Sequence, residues 1–181
     1  MNMRVTIAIC AALAAGTLAV FANEKPKATT ESTDQKPNER LRKIDAEVGK
    51  IEVKMPRLTR KETMLNPDAL VKVTDEKWTK IHTYSDGKKI ERLKVYPSAG
   101  SRKTEEFYYD NSQLVLVFIE PTGAGKVGHH ADATGTKYYF DNKGLFAVMA
   151  DGKMLDPLAD KARAMGKKLQ RESRAFQEAA K

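Results

Sequence analysis

Two stretches of this chain repeat one phrase, and that phrase limits the fold more than any other feature. Phe107-Tyr108-Tyr109 is followed by Asp110-Asn111, two further residues and Leu114; Tyr138-Tyr139-Phe140, Asp141-Asn142 and Leu145 repeat the order 31 residues later. Val117 and Val148 then take matching places. A weaker copy, Tyr84-Ser-Asp86-Gly87 with Ile90, stands 24 residues before the first. Aromatic side chains suit the pleated surface of a strand, and Asp-Gly and Asp-Asn tolerate the positive φ of tight reversals. Each copy therefore predicts the corner of a β-hairpin. Strands are expected at about 78–84, 90–96, 104–109, 113–120, 137–140 and 145–150, and connections this short imply an antiparallel meander.

Residues 114–119 are apolar on both faces, whereas Glu91-Arg-Leu93-Lys-Val95 alternates. A strand buried on both sides belongs near the middle of a sheet with cover above and below. One cover is an expected C-terminal amphipathic helix. Asp156 is its N-cap and Pro157 its first residue, with Leu158, Ala162, Met165, Leu169 and Phe176 on one face. The other is a helix from Glu39, with Asn38 as N-cap and Leu41, Ile44, Val48 and Ile51 at three- and four-residue steps. Gly49 weakens its later turns, 51–55 also suits a short strand, and Pro56 ends either one. Residues 57–77 carry little signal beyond a turn at Asn66-Pro67-Asp68. The expected fold is α+β, an antiparallel β-meander of about six strands packed against both helices, in a single domain over 38–181.

The hairpin phrases, Tyr108-Tyr109-Asp110-Asn111 with Leu114 and Tyr138-Tyr139-Phe140-Asp141-Asn142 with Leu145, resemble those of a group of uncharacterised exported bacterial proteins. In these an N-terminal helix precedes antiparallel strands. The Tyr-x-Asp-Gly phrase is more distantly similar to MORN-like repeat proteins. The resemblance covers about 80–153, implies export and this fold, and implies no catalytic residue.

Export is also the reading of the first residues. Arg4 precedes an uncharged run from Val5 to Ala22, and Val20-Phe21-Ala22 supplies the small residues that a signal peptidase needs. Cleavage is expected after Ala22, an uncleaved anchor being the alternative. Cys10, the only cysteine, lies inside that run, so the mature chain would carry no disulfide, thiol nucleophile or thiolate metal site. Residues 23–37, rich in Lys, Thr, Glu, Ser and Pro, are expected to be a disordered linker. The formal charge of +8 becomes +7 once Arg4 is removed, an excess that favours anionic partners.

Several motifs invite chemistry and fail. Gly123-Ala-Gly125-Lys126-Val-Gly128 spells a dinucleotide fingerprint, but the next expected strand follows about eight residues later and leaves no room for the helix that meets the pyrophosphate. Glu120 and Val127 break the phosphate-loop pattern. His129, His130 and Asp132 offer metal-ligand types, but adjacent histidines seldom address one ion. None of the three histidines has an evident catalytic partner, and Glu105, Glu106 and Glu120 are best read as solvated strand residues. No cofactor, no metal site and no enzyme activity are expected. The glycine-flanked loop with Lys126, His129, His130 and Asp132 is a candidate partner contact. Arg163, Lys167, Arg171 and Arg174, flanked by Lys161 and Lys168, form a cationic strip suited to an anionic surface. The expected function is an exported, non-catalytic binding module for an unknown protein or cell-envelope partner, periplasmic or secreted. The alternative is a structural protein held on anionic envelope surfaces by the basic helix. Nucleic acid is the weaker partner, and no transmembrane span is expected in the mature chain.

Overall fold

The computed structural model describes residues 35–99, 103–121 and 135–181. The expected leader and its cleavage point, the linker up to residue 34, and the loop of Lys126, His129, His130 and Asp132 lie outside the described residues. Helix α1 (Gln35–Lys54) runs into a 3-10 turn at Met55–Arg57, then β1 (Thr59–Met64) and the single turn α2 (Val71–Thr74). Six strands follow: β2 (Trp78–Asp86), β3 (Lys89–Pro97), β4 (Lys103–Asp110), β5 (Gln113–Pro121), β6 (Thr136–Asp141) and β7 (Gly144–Ala150). The short β8 (Lys153–Leu155) and helix α3 (Asp160–Ala179) complete the chain. The strands pair antiparallel in sequence order as one eight-stranded sheet. It is an α+β fold with a helix on each face.

The expected six strands are all present, and two edge strands were not anticipated. β1, Thr-Arg-Lys-Glu-Thr-Met, is almost wholly exposed, and all three residues of β8 are exposed. Strands that bury no face leave no hydrophobic alternation to read. α1 begins at Gln35, before the Asn38 cap, and stays helical through Lys54. Nothing crowds Gly49, so its cost is only the usual ~1 kcal/mol of a glycine in a helix. α3 starts later than Asp156: Ala159 is its N-cap, and the Asp156 carboxylate instead accepts the Leu158 amide at 2.8 Å. β8 pairs through Leu155, so the chain must leave the sheet edge before a helix can begin. Leu158 is consequently 75% exposed, outside the buried face expected for it.

All three copies of the hairpin phrase break register at the same place, between Tyr84 and Ser85, Tyr108 and Tyr109, and Tyr139 and Phe140. The turns that follow differ. Asn111 and Ser112 both take positive φ, 49° and 67°, whereas in the last copy Gly144 takes it (116°) and Asp141 accepts the Lys143 amide at 2.7 Å.

Consecutive aromatics point to opposite faces. Tyr108 and Tyr139 pack with Leu41, Val48 and Ile51 of α1, while Tyr109 and Phe140 pack with Leu169 and Phe176 of α3. The Tyr108 hydroxyl lies 2.7 Å from Glu52 and the Tyr139 hydroxyl 3.1 Å from Asp45. Seven residues of helix rise about 10.5 Å, and two strand spacings, β4 to β6, span about 9.5 Å. α1 therefore lies across the strands. On the other face Gly166 of α3 meets Leu145 of β7, and Phe176 stands edge-on at 5.5 Å to both Phe107 of β4 and Trp78 of β2, so α3 crosses the strands too.

Because α1 and α3 both cover β4, Glu105 and Glu106 are not solvated: each is 1% exposed, correcting the sequence expectation. Register places them on opposite faces, Glu105 beside Val95 and Glu106 beside Lys94.

Close approach sets the seat of α3. A Cβ on Gly166 would stand 2.8 Å from the Leu145 Cβ, an atom that cannot swing away. Gly166→Ala is expected to lower the stability by about 1–3 kcal/mol through overpacking, despite alanine's better helix propensity, measured by urea unfolding followed by circular dichroism.

Candidate functional site

Of the residues singled out in the sequence, the structure places the cationic strip. Arg163, Lys167, Arg171 and Arg174 are all exposed along α3, opposite buried Leu169, Ser173 and Phe176. Lys168 does not flank that strip as a free charge. It turns inward, 3.4 Å from Glu76 and 3.7 Å from Glu172.

Sequence reasoning missed a charged array on the α1 side of β1–β4. Here His82 has partners after all, correcting the expectation that no histidine does. Its Nε2 lies 2.7 Å from the Glu62 carboxylate and 3.0 Å from the Arg60 guanidinium, and its Nδ1 lies 3.0 Å from the Tyr96 hydroxyl. The neutral tautomer that donates from Nε2 to Glu62 and accepts from Tyr96 satisfies both ends. Beside it, Glu106 receives Lys94 at 2.6 Å and Arg92 at 2.5 Å, and the Tyr108 hydroxyl lies 2.9 Å away. Arg92 also reaches Glu52 of α1 at 3.6 Å. The signal was hidden because Arg60 and Glu62 belong to an edge strand that buries nothing.

The electrostatics follow from burial and pairing. Burial pushes the His82 pKa down, against the Glu62 hydrogen bond and with the help of Arg60 and Lys80. The His82 hydrogen bond holds the exposed Glu62 carboxyl low. Burial would lower the Arg92 pKa, but Tyr108, Glu106 and Glu52 together raise it. Burial raises Tyr108 well above the ordinary phenol, and Tyr96 is raised as well. The order Glu62–His82–Tyr96 has the shape of an acid–base relay. Its outer hydroxyl is nonetheless harder to ionise than a free phenol, and both ring nitrogens of His82 are engaged by the protein. That is the reverse of an activated nucleophile.

A second feature lies where α1 meets the two hairpin corners of the repeated phrase. A cleft of about 340 Å³ is floored by Ile44, Val115 and Phe146, with Phe140 also lining it. Its rim carries Arg40, Lys43 and Glu47 from α1, Asp110 and Gln113 from one turn, and Asp141 and Asn142 from the other. Arg40 is ion-paired with Asp141 and stacks over Phe146 at 4.6 Å, and Glu47 is held by Lys50 at 2.7 Å. Lys43 and Asp110 make no ion pair among the described residues, so the rim presents one available charge of each sign over an apolar floor.

No family model, curated protein or solved structure matches this chain. Among the described residues no helix is long and apolar enough to cross a membrane, and no group of three or more His, Cys, Asp or Glu side chains is placed to hold a metal ion.

The His82 environment gives a direct expectation. Its ring should titrate below 6.5, and Glu62→Gln should lower the midpoint further by removing the negative charge that favours the cation. The unfolded chain then binds a proton that the folded chain refuses, so this group costs stability as pH falls through its unfolded pKa. Proton NMR of the His82 ring across pH 4–8, on the wild type and the variant, measures both midpoints.

Proposed function

We propose that this chain is an exported, non-catalytic binding module, acting in the periplasm or outside the cell on a protein or cell-envelope partner. The cleft between α1 and the two repeated hairpin corners carries this reading. It joins an apolar floor to one available cation, Lys43, and one available anion, Asp110, at its rim. That combination suits a segment of a partner protein that inserts an apolar side chain and meets charge on either side. The non-catalytic part is supported by the paired state of the charged array. Glu106 is occupied by Arg92, Lys94 and Tyr108, and His82 by Glu62 and Tyr96. The loop with Lys126, His129, His130 and Asp132 belongs to the same proposal as a second contact. The resemblance of the hairpin phrases to exported bacterial proteins agrees with the leader.

One observation favours a second reading, a structural protein held on anionic envelope surfaces. Arg163, Lys167, Arg171 and Arg174 are exposed on one strip and make no ion pair among the described residues. Attraction of that kind is worth about 1 kcal/mol per basic residue near an anionic surface and fades with salt.

Co-sedimentation of the chain from Asn23 onward with isolated cell envelopes across a salt series separates the two. A binding module stays bound at high salt, and Lys43→Glu with Asp110→Lys weakens capture at least about tenfold, some 1.4 kcal/mol. A charge-held protein is released by salt and by neutralising the four strip residues to Gln. Absence of binding at every salt concentration rejects an envelope partner for either reading and directs the search to soluble partners.

A further inference from the structure

Behind α3 lies a cluster of five ionisable side chains. β4 contributes Lys103 and Glu105, the link after α2 contributes Glu76, and α3 contributes Lys168 and Glu172. Tyr138 of β6, its pKa raised by burial, also feels Lys103 and Glu105. Lys103 bridges Glu76 at 2.6 Å and Glu105 at 3.0 Å, and Lys168 reaches Glu76 at 3.4 Å. Two cations therefore face three carboxylates, and the third is left with the weakest pairing.

That third group is Glu172. It is 0% exposed, neither of its oxygens has a hydrogen-bond partner, and Lys168 stands 3.7 Å away, beyond hydrogen-bond reach. One oxygen of Glu105 is likewise unpartnered. A buried carboxylate without a partner is among the costliest groups a protein can hold, and the alternative to paying that cost is to keep the proton.

We propose that Glu172 is a proton-binding site that controls the docking of α3 on the sheet: protonated, it lets the helix seal over Phe107, Trp78 and Tyr109; ionised, it draws the helix toward water. Since α3 bears Arg163, Lys167, Arg171 and Arg174, the same proton governs how firmly the cationic strip is fixed to the fold. Burial, reinforced by Glu105, raises the Glu172 pKa to about 8. Between the unfolded value near 4.5 and the folded value near 8, the folded chain holds a proton that the unfolded chain releases. The contribution of this group is thus complete below the lower value and lost as pH rises through the upper one.

Trp78, the single tryptophan, is a built-in reporter, because it is 1% exposed and stands edge-on to Phe176 of α3 at 5.5 Å. Fluorescence of the full chain from pH 5 to 9.5 should show a reversible red shift with a midpoint near 8. Hydrogen exchange should show the Leu169 and Phe176 amides losing at least tenfold protection over the same range while β4 and β5 amides keep theirs. Glu172→Gln should abolish the transition, and Glu105→Gln should move its midpoint to lower pH. A flat wild-type titration, an unchanged transition in Glu172→Gln, or equal loss of protection in β4 and β5 would each overturn the proposal. If Glu172→Gln does not fold, the midpoint in Glu105→Gln decides, and a midpoint that fails to fall counts against it.

Discussion

The structure depends on two neighbouring aromatic residues that face opposite ways. In a strand, adjacent side chains point to opposite sides, so Tyr108 with Tyr109, and Tyr139 with Phe140, bind one helix above the sheet and another below it. A sheet this size exposes two apolar faces and is stable only when both are covered. The repeated phrase supplies both contacts from a pair of residues, and it does so on β4 and β6, either side of β5, which is apolar from Leu114 to Ile119. Each phenol that reaches a helix also finds an acceptor, Glu52, Asp45 or the Ser173 hydroxyl. The hydroxyls fix where α1 and α3 sit, and the rings supply the burial that keeps them there.

Covering both faces forces charge into the middle. Every second residue of β4 faces α1 and the others face α3, so Glu105 and Glu106 cannot both escape to one solvated side. The two faces solve this differently. On the α1 side Glu106 is answered by Arg92, Lys94 and a phenol, a compact network in which the donors come from adjacent β3 and β4. On the α3 side the cations are shared among three carboxylates and do not suffice. A complete network fixes register at a modest cost in desolvation, whereas an incomplete one ties the structure to the protonation of its unmatched member.

What the sequence allowed one to read follows from the same physics. The hairpins, the buried β5 and the two amphipathic helices announce themselves because they bury alternate or helically spaced side chains, and burial is what periodicity records. β1 and β8 bury almost nothing, and with β1 went the partners of His82. Glu105 and Glu106 look like solvent-facing strand residues because composition cannot show that β4 is sealed on both sides. The start of α3 was misplaced because Asp156-Pro157 is as good an Asx turn as it is a helix cap, and only the pairing of β8 decides between them. The cleft was illegible for a different reason: its lining comes from α1, two hairpin corners and the strands that flank them, up to about a hundred residues apart, and no local pattern encodes their meeting.

With both faces sealed, the described part of the molecule offers partners only its margins: hairpin corners, edge strands and the outer sides of the two helices. The cleft sits at such a margin, where the repeated turns bring Asp110 and Asp141 together under the N-terminal half of α1. The cationic strip sits at another. These margins are not mechanically equal. α1 is tied to the sheet by an ion pair at Arg40, two phenolic hydrogen bonds and Arg92, so the cleft it helps to form is held rigidly. α3 is joined by the Tyr109–Ser173 hydroxyl contact, the Lys168–Glu76 ion pair, a Lys61 hydrogen bond to Ala180 at its C-terminal end and its apolar face, over a carboxyl with no hydrogen-bond partner. A rigid cleft loses little entropy when it captures a ligand, whereas a helix docked over a buried carboxyl that lacks a hydrogen-bond partner is the element whose docking a single charge can shift. On the proposed reading, recognition falls to the α1 side of this fold and adjustability to the α3 side.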